Sequence, residues 1–164
     1  MTDNNDINND INNRYGGKLI PARLLPKNES GFVSCRWCGG DVKPPRRTMC
    51  SPECVHELLI RRDNRYIRDC LYKRDKGVCV LCKTDTKEIA KKALTLNGNE
   101  RKEYLKEFNI GIKRKIWKRK HGGGLWDGDH IVPVKEGGGQ CGLDNLRTLC
   151  IKCHKQVTKD SYKK

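Results

Sequence analysis

The sequence predicts a small α+β domain held together by zinc rather than by a large apolar core. Three observations carry this. Leu, Ile, Val and Phe supply only about a fifth of the 164 residues, close to the level at which burial alone stops sustaining a fold. Eight of the ten cysteines fall into pairs at metal-knuckle spacing: Cys35/Cys38, Cys50/Cys54, Cys79/Cys82 and Cys150/Cys153. The last third alternates β-branched runs with a glycine loop and then turns helical, a strand–loop–strand–helix unit.

In chain order, residues 1–31 read as a disordered tail and linker. MTDNNDINNDINN is low-complexity and repeats Asp-Ile-Asn-Asn, so it can bury nothing. Gly16, Gly17, Pro21 and Pro26 mark the linker, and a folded unit is expected from near Phe32. Residues 32–78 read as a cysteine knuckle followed by one long helix. Cys35-Arg-Trp-Cys38-Gly-Gly forms the knuckle, and its glycines reach unusual dihedrals so that backbone N–H groups can face sulfur. Ser51-Pro52-Glu53 gives a helix start with a hydroxyl N-cap, proline at N1 and an acid in the first turn. Cys54 in that turn completes a four-thiolate set with Cys35, Cys38 and Cys50, and His56 is the competing fourth donor. Val55, Leu58, Leu59, Tyr66, Cys70 and Leu71 continue the helical stripe, with Gly77 as a stop. Cys70 reads as a core residue, and Cys141 sits in a glycine-rich loop; neither belongs to a knuckle.

Residues 79–158 form the second unit. Cys79 and Cys82 pair with the distant Cys150 and Cys153 in a second structural zinc site, which would close a long loop. The basic insertion 83–124 carries helical segments at Lys87–Leu94 and Arg101–Phe108, separated by Asn97-Gly98-Asn99. It ends in Lys113, Arg114, Lys115, Ile116, Trp117, Lys118, Arg119 and Lys120, six basic residues in eight. A solvated helix face and a nuclear-import signal both explain such a run. Contact with a DNA backbone, with Trp117 stacking on a base, is the functional alternative. Trp37 and Trp126 read as packing residues, and residues 159–164 as a basic C-terminal tail.

The formal net charge is +15. Each zinc site of four thiolates carries a formal −2, so two sites lower +15 to about +11. Nucleic acid is then the first partner to consider and an anionic membrane surface the second. No apolar run reaches the ~18 residues of a membrane span, and the polar N-terminus lacks an export signal. An intracellular, reducing compartment is the expectation: the nucleus in a eukaryote, the cytoplasm otherwise.

The chemistry lies in Leu125-Trp-Asp-Gly-Asp129-His130-Ile-Val-Pro133 and Leu143-Asp-Asn145-Leu-Arg-Thr-Leu149-Cys-Ile-Lys-Cys153-His154. A short strand ending at Pro133, a second at Leu146–Leu149 and a helix from near Cys153 would bring a carboxylate, two imidazoles and a carboxamide together. Phosphodiester hydrolysis needs such a set. Asp129 and His154 can hold Mg²⁺ or another divalent cation. His130 suits a general base because imidazole titrates near neutrality. Asn145 can orient the loop or the base. Asp129 and His130 are strand neighbours and point to opposite faces; Gly128 is a candidate for local irregularity that would bring both to one phosphate.

At these residues the chain resembles the HNH (ββα-metal, His-Me finger) nuclease family. It is similar to the HNH domains carried by annealing helicases with a Ran-binding-type zinc finger. The Asp-His pair, the Asn before the second strand, the Cys-x-x-Cys-His and the Gly-Gly-Gly-Gln-Cys-Gly-Leu-Asp-Asn loop carry that resemblance. It implies a catalytic metal on Asp129 and His154, His130 as base, Asn145 as the structural Asn, and zinc on Cys79, Cys82, Cys150 and Cys153. It also implies cleavage to 5′-phosphate and 3′-hydroxyl ends. Thr158 stands where some members carry a further His. No helicase motor fits in 164 residues. The expected function is a DNA endonuclease that nicks double-stranded or branched DNA. A non-catalytic zinc-stabilised nucleic-acid-binding module is the alternative, and RNA is an alternative substrate.

Overall fold

The computed structural model describes residues 20–111 and 124–162. The tail 1–13 and the basic run Lys113–Lys120 with Trp117 lie outside the described residues. The chain divides into two compact units, Met1–Leu58 and Leu59–Lys164.

In the first unit, β1 (Val33–Ser34) pairs antiparallel with β2 (Asp41–Val42). The hairpin holds the first knuckle: Cys35 N–H donates to Gly40 O at 2.7 Å, and Gly39 turns the chain at φ 77°. Cys35, Val42, Met49 and Cys54 form its small core, with Val33, Val55 and Leu58 against them. The expected linker is partly built into this unit. Ile20 is buried, its carbonyl accepts from Arg36, and Lys27 bridges to Val33. Folding therefore begins before Phe32, because a unit this small recruits any nearby apolar side chain. Trp37 is 40% exposed, not the packing residue the sequence suggests.

Helix α1 (Pro52–Arg62) starts where the Ser-Pro-Glu signal places it, with Ser51 Oγ accepting from Cys54 N–H. The expected single helix is in fact two. Asp63 accepts from the Arg65 and Tyr66 N–H groups at 2.8 and 2.9 Å and caps α2 (Asn64–Asp75). The apolar period runs on across the break, so the stripe alone could not reveal it. Lys76 (φ 55°) and Gly77 (φ 81°) end α2 in left-handed conformations. A Cβ on Gly77 would also lie 3.0 Å from Thr86 Oγ1.

In the second unit, α3 (Thr86–Thr95) and α4 (Gly98–Glu107) form a helical hairpin within the insertion. Asp85 caps α3, and a capping box between Asn97 and Glu100 starts α4. Ile89, Ala90, Ala93, Leu105, Ile110 and Leu125 give the hairpin its own core.

β3 (Trp126–His130) pairs antiparallel with β4 (Leu146–Cys150), and α5 (Ile151–Ser161) follows directly. This is the expected β–β–α unit, and the chain is an α+β protein. The first strand stops at His130 rather than Pro133. There the Asn145 side chain takes over the Val132 N–H, and a 3-10 turn (Val134–Glu136) begins. The last helix starts at Ile151, before Cys153, because the Cys150 sulfur itself caps it by accepting from Cys153 N–H at 3.5 Å. Helix α5 also runs through Ser161, so Lys159 lies in its last turn rather than in a tail.

The sheet packs on α2 and the last turn of α1 through Ile60, Leu71, Trp126 and Leu146, with Cys70 and Cys141 at the edge of the cluster. Pairing is continuous across Gly128, which faces Thr148, so the strand has no irregularity there. Gly128 instead allows close packing: a Cβ would lie 2.6 Å from Leu71 Cδ1. Thr148 is fully buried and donates to Asp75 Oδ2 at 2.7 Å, tying β4 to the end of α2.

Candidate metal centres and active site

Two cysteine quartets gather. Cys35, Cys38, Cys50 and Cys54 form one, and Cys79, Cys82, Cys150 and Cys153 the other; within each, all sulfurs lie within 4.8 Å of one another. His56 is not a member of either group. The Cys38–Cys50 and Cys50–Cys54 separations are 3.4 Å, and Cys82–Cys150 is 3.6 Å. Sulfurs around tetrahedral zinc at ~2.3 Å sit about 3.8 Å apart, so the residues fit the ion.

Electrostatics agrees. Burial opposes ionisation of Cys35, yet N–H groups of Cys38, Cys50 and Trp37 bring it down to about 6. The neighbouring thiols of Cys54, Cys38 and Cys35 push Cys50 up to about 12. The second quartet repeats the split. Cys82 falls to about 6 against burial, through Thr84, Cys79 and Cys150, while burial and the other three thiols push Cys153 up. One thiolate forms readily and the next is resisted. A cation is what lets all four ionise together.

The second quartet sets up the neighbouring site. Cys79 and Cys82 sit on a turn closed by Cys79 N–H to Thr84 O and anchored on β4 by Val80 N–H to Thr148 O, both at 2.9 Å. Cys150 and Cys153 open α5, and His154 follows Cys153 in the same turn.

His154 faces the sheet. Its Nε2 lies 3.9 Å from Asp129 Oδ1, and its Nδ1 lies 3.9 Å from Asp127 Oδ2. Asp127 and Asp129 are two apart on β3 and so share a face. Asp129 is the better enclosed, with 15% side-chain exposure against 42% for Asp127. Directly across the ladder, Arg147 places Nε at 2.8 Å and Nη2 at 2.7 Å from Asp129 Oδ2. That grip leaves Oδ1 toward His154. Arg68 donates to Asp127 Oδ1 at 3.2 Å and to the Trp126 carbonyl at 3.0 Å, with its guanidinium 4.0 Å over the buried Trp126 ring. Two atoms bonded to one ion at about 2.1 Å each can stand up to ~4.2 Å apart, and a carboxylate with an imidazole suits a divalent metal.

His130 ends β3, and strand alternation turns it away from the Asp129 face. Apart from the cysteine quartets, no three His, Cys, Asp or Glu donors among the described residues converge within 4.8 Å. The geometry thus brings Asp129 and His154 together and leaves His130 beside them at the strand end. Asn145 is committed to the loop. Its Oδ1 accepts from Val132 N–H at 2.8 Å, and its Nδ2 donates to the Val132 and Gly138 carbonyls at 3.2 and 3.0 Å. Its main-chain carbonyl accepts from Ile131 N–H at 2.8 Å. Gly138 is required there, because a Cβ would fall 1.8 Å from Val132 O.

Sequence reasoning missed Arg147, Arg68 and Asp127. The i, i+2 spacing of Asp127 and Asp129 was a readable signal that both face one way. Arg147 was not readable, since its pairing depends on strand register.

A family model described as HNH endonuclease matches residues 117–160. The DNA annealing helicase and endonuclease ZRANB3 of Mus musculus is 36% identical over 145 residues, covering 80% of this chain and 14% of the relative. Its Homo sapiens counterpart is 36% identical over 114 residues, 66% of this chain and 11% of the relative. The chain therefore spans a small part, 11–14%, of the length of these relatives. A crystal structure of the human ZRANB3 HNH domain matches with a TM-score of 0.49 and 34% identity, covering 60% of this chain and 88% of that one. With its Asp-His strand, its clamped Asn and its Cys-x-x-Cys-His helix start, the chain belongs to the HNH endonuclease family.

Proposed function

We propose that this chain is a metal-dependent DNA endonuclease that cuts phosphodiester bonds to 5′-phosphate and 3′-hydroxyl ends. The observation that carries the reading is the 3.9 Å approach of Asp129 Oδ1 to His154 Nε2 beside the strand end that bears His130. Asp129 and His154 would hold the divalent cation, which when bound offsets charge on the phosphate and the departing oxygen. His130 takes the proton from the attacking water. Asn145 fixes the loop that leaves His130 and so holds the imidazole in position. Arg147 keeps one oxygen of Asp129 and presents the other. Zinc on Cys79, Cys82, Cys150 and Cys153 sets the start of α5, and with it the place of His154.

DNA is the proposed substrate because the protein is strongly basic. Lys113, Arg114, Lys115, Lys118, Arg119 and Lys120 would grip phosphates and Trp117 would stack, a reading that rests on sequence alone. The relatives' names, which speak of DNA annealing and of an endonuclease, support the same substrate class and a place wherever the cell keeps DNA. Among the described residues, no helix is long and apolar enough to cross a membrane.

Supercoiled plasmid and a synthetic fork, each incubated with Mg²⁺ or Mn²⁺, test the reading. We expect nicking, with the rate falling about 10²–10⁴-fold in His130→Ala at unchanged circular dichroism. Uncut DNA with both metals, or undiminished cutting by the variant, would refute it.

A further inference from the structure

Hydrolysis as described leaves Asp127 with nothing to do, yet the fold aims it at the same imidazole as Asp129. We propose that Asp127 is a positioning residue that sets the orientation and tautomer of His154. The proton then sits on Nδ1, and Nε2 faces Asp129 with a free lone pair. This rests on the reading that Asp129 and His154 hold the catalytic cation.

The geometry is a paired one. Each ring nitrogen of His154 meets one carboxylate oxygen at 3.9 Å, Nδ1 with Asp127 Oδ2 and Nε2 with Asp129 Oδ1. Each carboxylate has its other oxygen held by an arginine, Asp127 Oδ1 by Arg68 and Asp129 Oδ2 by Arg147. Neither side chain can swing away without breaking its pair. Arg68 is itself fixed by the Trp126 carbonyl and by the face of that buried ring.

A neutral imidazole carries a proton on one nitrogen and a lone pair on the other. Metal ligation takes the lone pair, and a carboxylate on the far nitrogen fixes which one that is and raises its basicity. The two nitrogens point in divergent directions, so the carboxylates cannot both share one ion with this ring. Three features assign the metal side to Asp129. It is the less exposed of the two acids, Arg147 grips its Oδ2 through two nitrogens, and it adjoins His130. Asp127 is farther from the strand end, more exposed and held by Arg68 at a longer 3.2 Å, which suits an acceptor for a ring N–H. The two anchors on His154 are complementary: the cysteines flanking the start of α5 fix its backbone, and Asp127 fixes its ring.

The test uses the full zinc-loaded chain with ¹⁵N-labelled histidine. Long-range ¹H–¹⁵N spectra, taken without added metal, read the His154 tautomer. Calorimetric titration with Mn²⁺ alone reads the second centre. Wild type should show His154 protonated on Nδ1. Asp127→Ala should lose that preference and weaken Mn²⁺ binding about 10–100-fold. Asp127→Asn, which keeps an acceptor oxygen, should retain most of both. Asp129→Ala should lose Mn²⁺ binding while keeping the tautomer. A wild-type proton on Nε2, or an Asp127→Ala variant unchanged in both readouts, would overturn the proposal. So would Mn²⁺ binding abolished by Asp127→Ala and spared by Asp129→Ala, since Asp127 would then be the ligand. A wild-type protein that binds no Mn²⁺ overturns the metal premise, a failure kept apart by the tautomer, which is read independently.

Discussion

Asn145 uses its whole carboxamide on the chain between His130 and Gly138. A half-buried amide with three side-chain bonds is worth about a few kcal/mol at most, but in the proposed reaction these bonds would decide where the His130 imidazole stands. Asn145→Ala should cost about 1–3 kcal/mol in urea unfolding and reduce nicking far more than that loss implies. Asn145→Asp should be as inactive, because the Val132 and Gly138 carbonyls would then face an acceptor. A variant that keeps wild-type nicking would show that the clamp is not needed. Much at this scale was legible beforehand. Asp129, His130, Asn145 and His154 stand out because their types and spacing suit one chemistry. The choice between loop and base for Asn145 was not, since an amide's partners depend on the turn between Pro133 and Gly139. Arg147 looked like one more cation in a basic chain until the ladder set it opposite Asp129.

Side chains tie one element to another where α2 ends against β4. Asp75 pairs with Arg74 at 2.6 Å and accepts from the buried Thr148 hydroxyl at 2.7 Å. Burial raises its pKa, but Arg74 and Thr148 outweigh that, and the carboxyl ends below its ordinary range. Its contribution is therefore complete above the unfolded carboxylate value of about 4 and is lost as pH falls through the lower folded value. Asp75→Asn should destabilise by about 1–3 kcal/mol at neutral pH. With zinc in excess, the gap to wild type should hold steady between about pH 7 and 5 and narrow below about pH 4. A gap independent of pH down to about 3 would place the charge of Asp75 outside the stability balance. The helices of the insertion were readable from composition, but Gly98 and Asn99, expected in a turn, open α4 behind the Asn97 cap. The break at Asp63 was not readable, because local capping competed with an uninterrupted apolar stripe.

In place of one large core, the molecule has several small clusters and two cysteine quartets that could each hold a metal ion. Cys82 and Cys150, 68 residues apart, meet at 3.6 Å, so one ion there would close a loop comprising most of the second unit. Elemental analysis should find two zinc per chain. Cys82→Ser should leave one and abolish nicking. Cys54→Ser should also leave one, yet keep nicking, because the Asp129–His154 approach lies within Leu59–Lys164. Equal loss of activity in both variants would mean that the first centre also serves the chemistry. Knuckle spacing made both centres legible from the sequence, and the thin apolar content made them necessary. What spacing could not supply was the start of α5, which the Cys150 sulfur sets by capping the helix.

That sulfur cap has a corollary outside hydrolysis. Cys82 is exposed, and Cys153 immediately precedes His154. Peroxide or an alkylating agent that captured Cys82 would unload its ion and release the first turn of α5, and the imidazole would drift from its carboxylates. The enzyme would fall silent with every group that handles the phosphodiester still chemically intact.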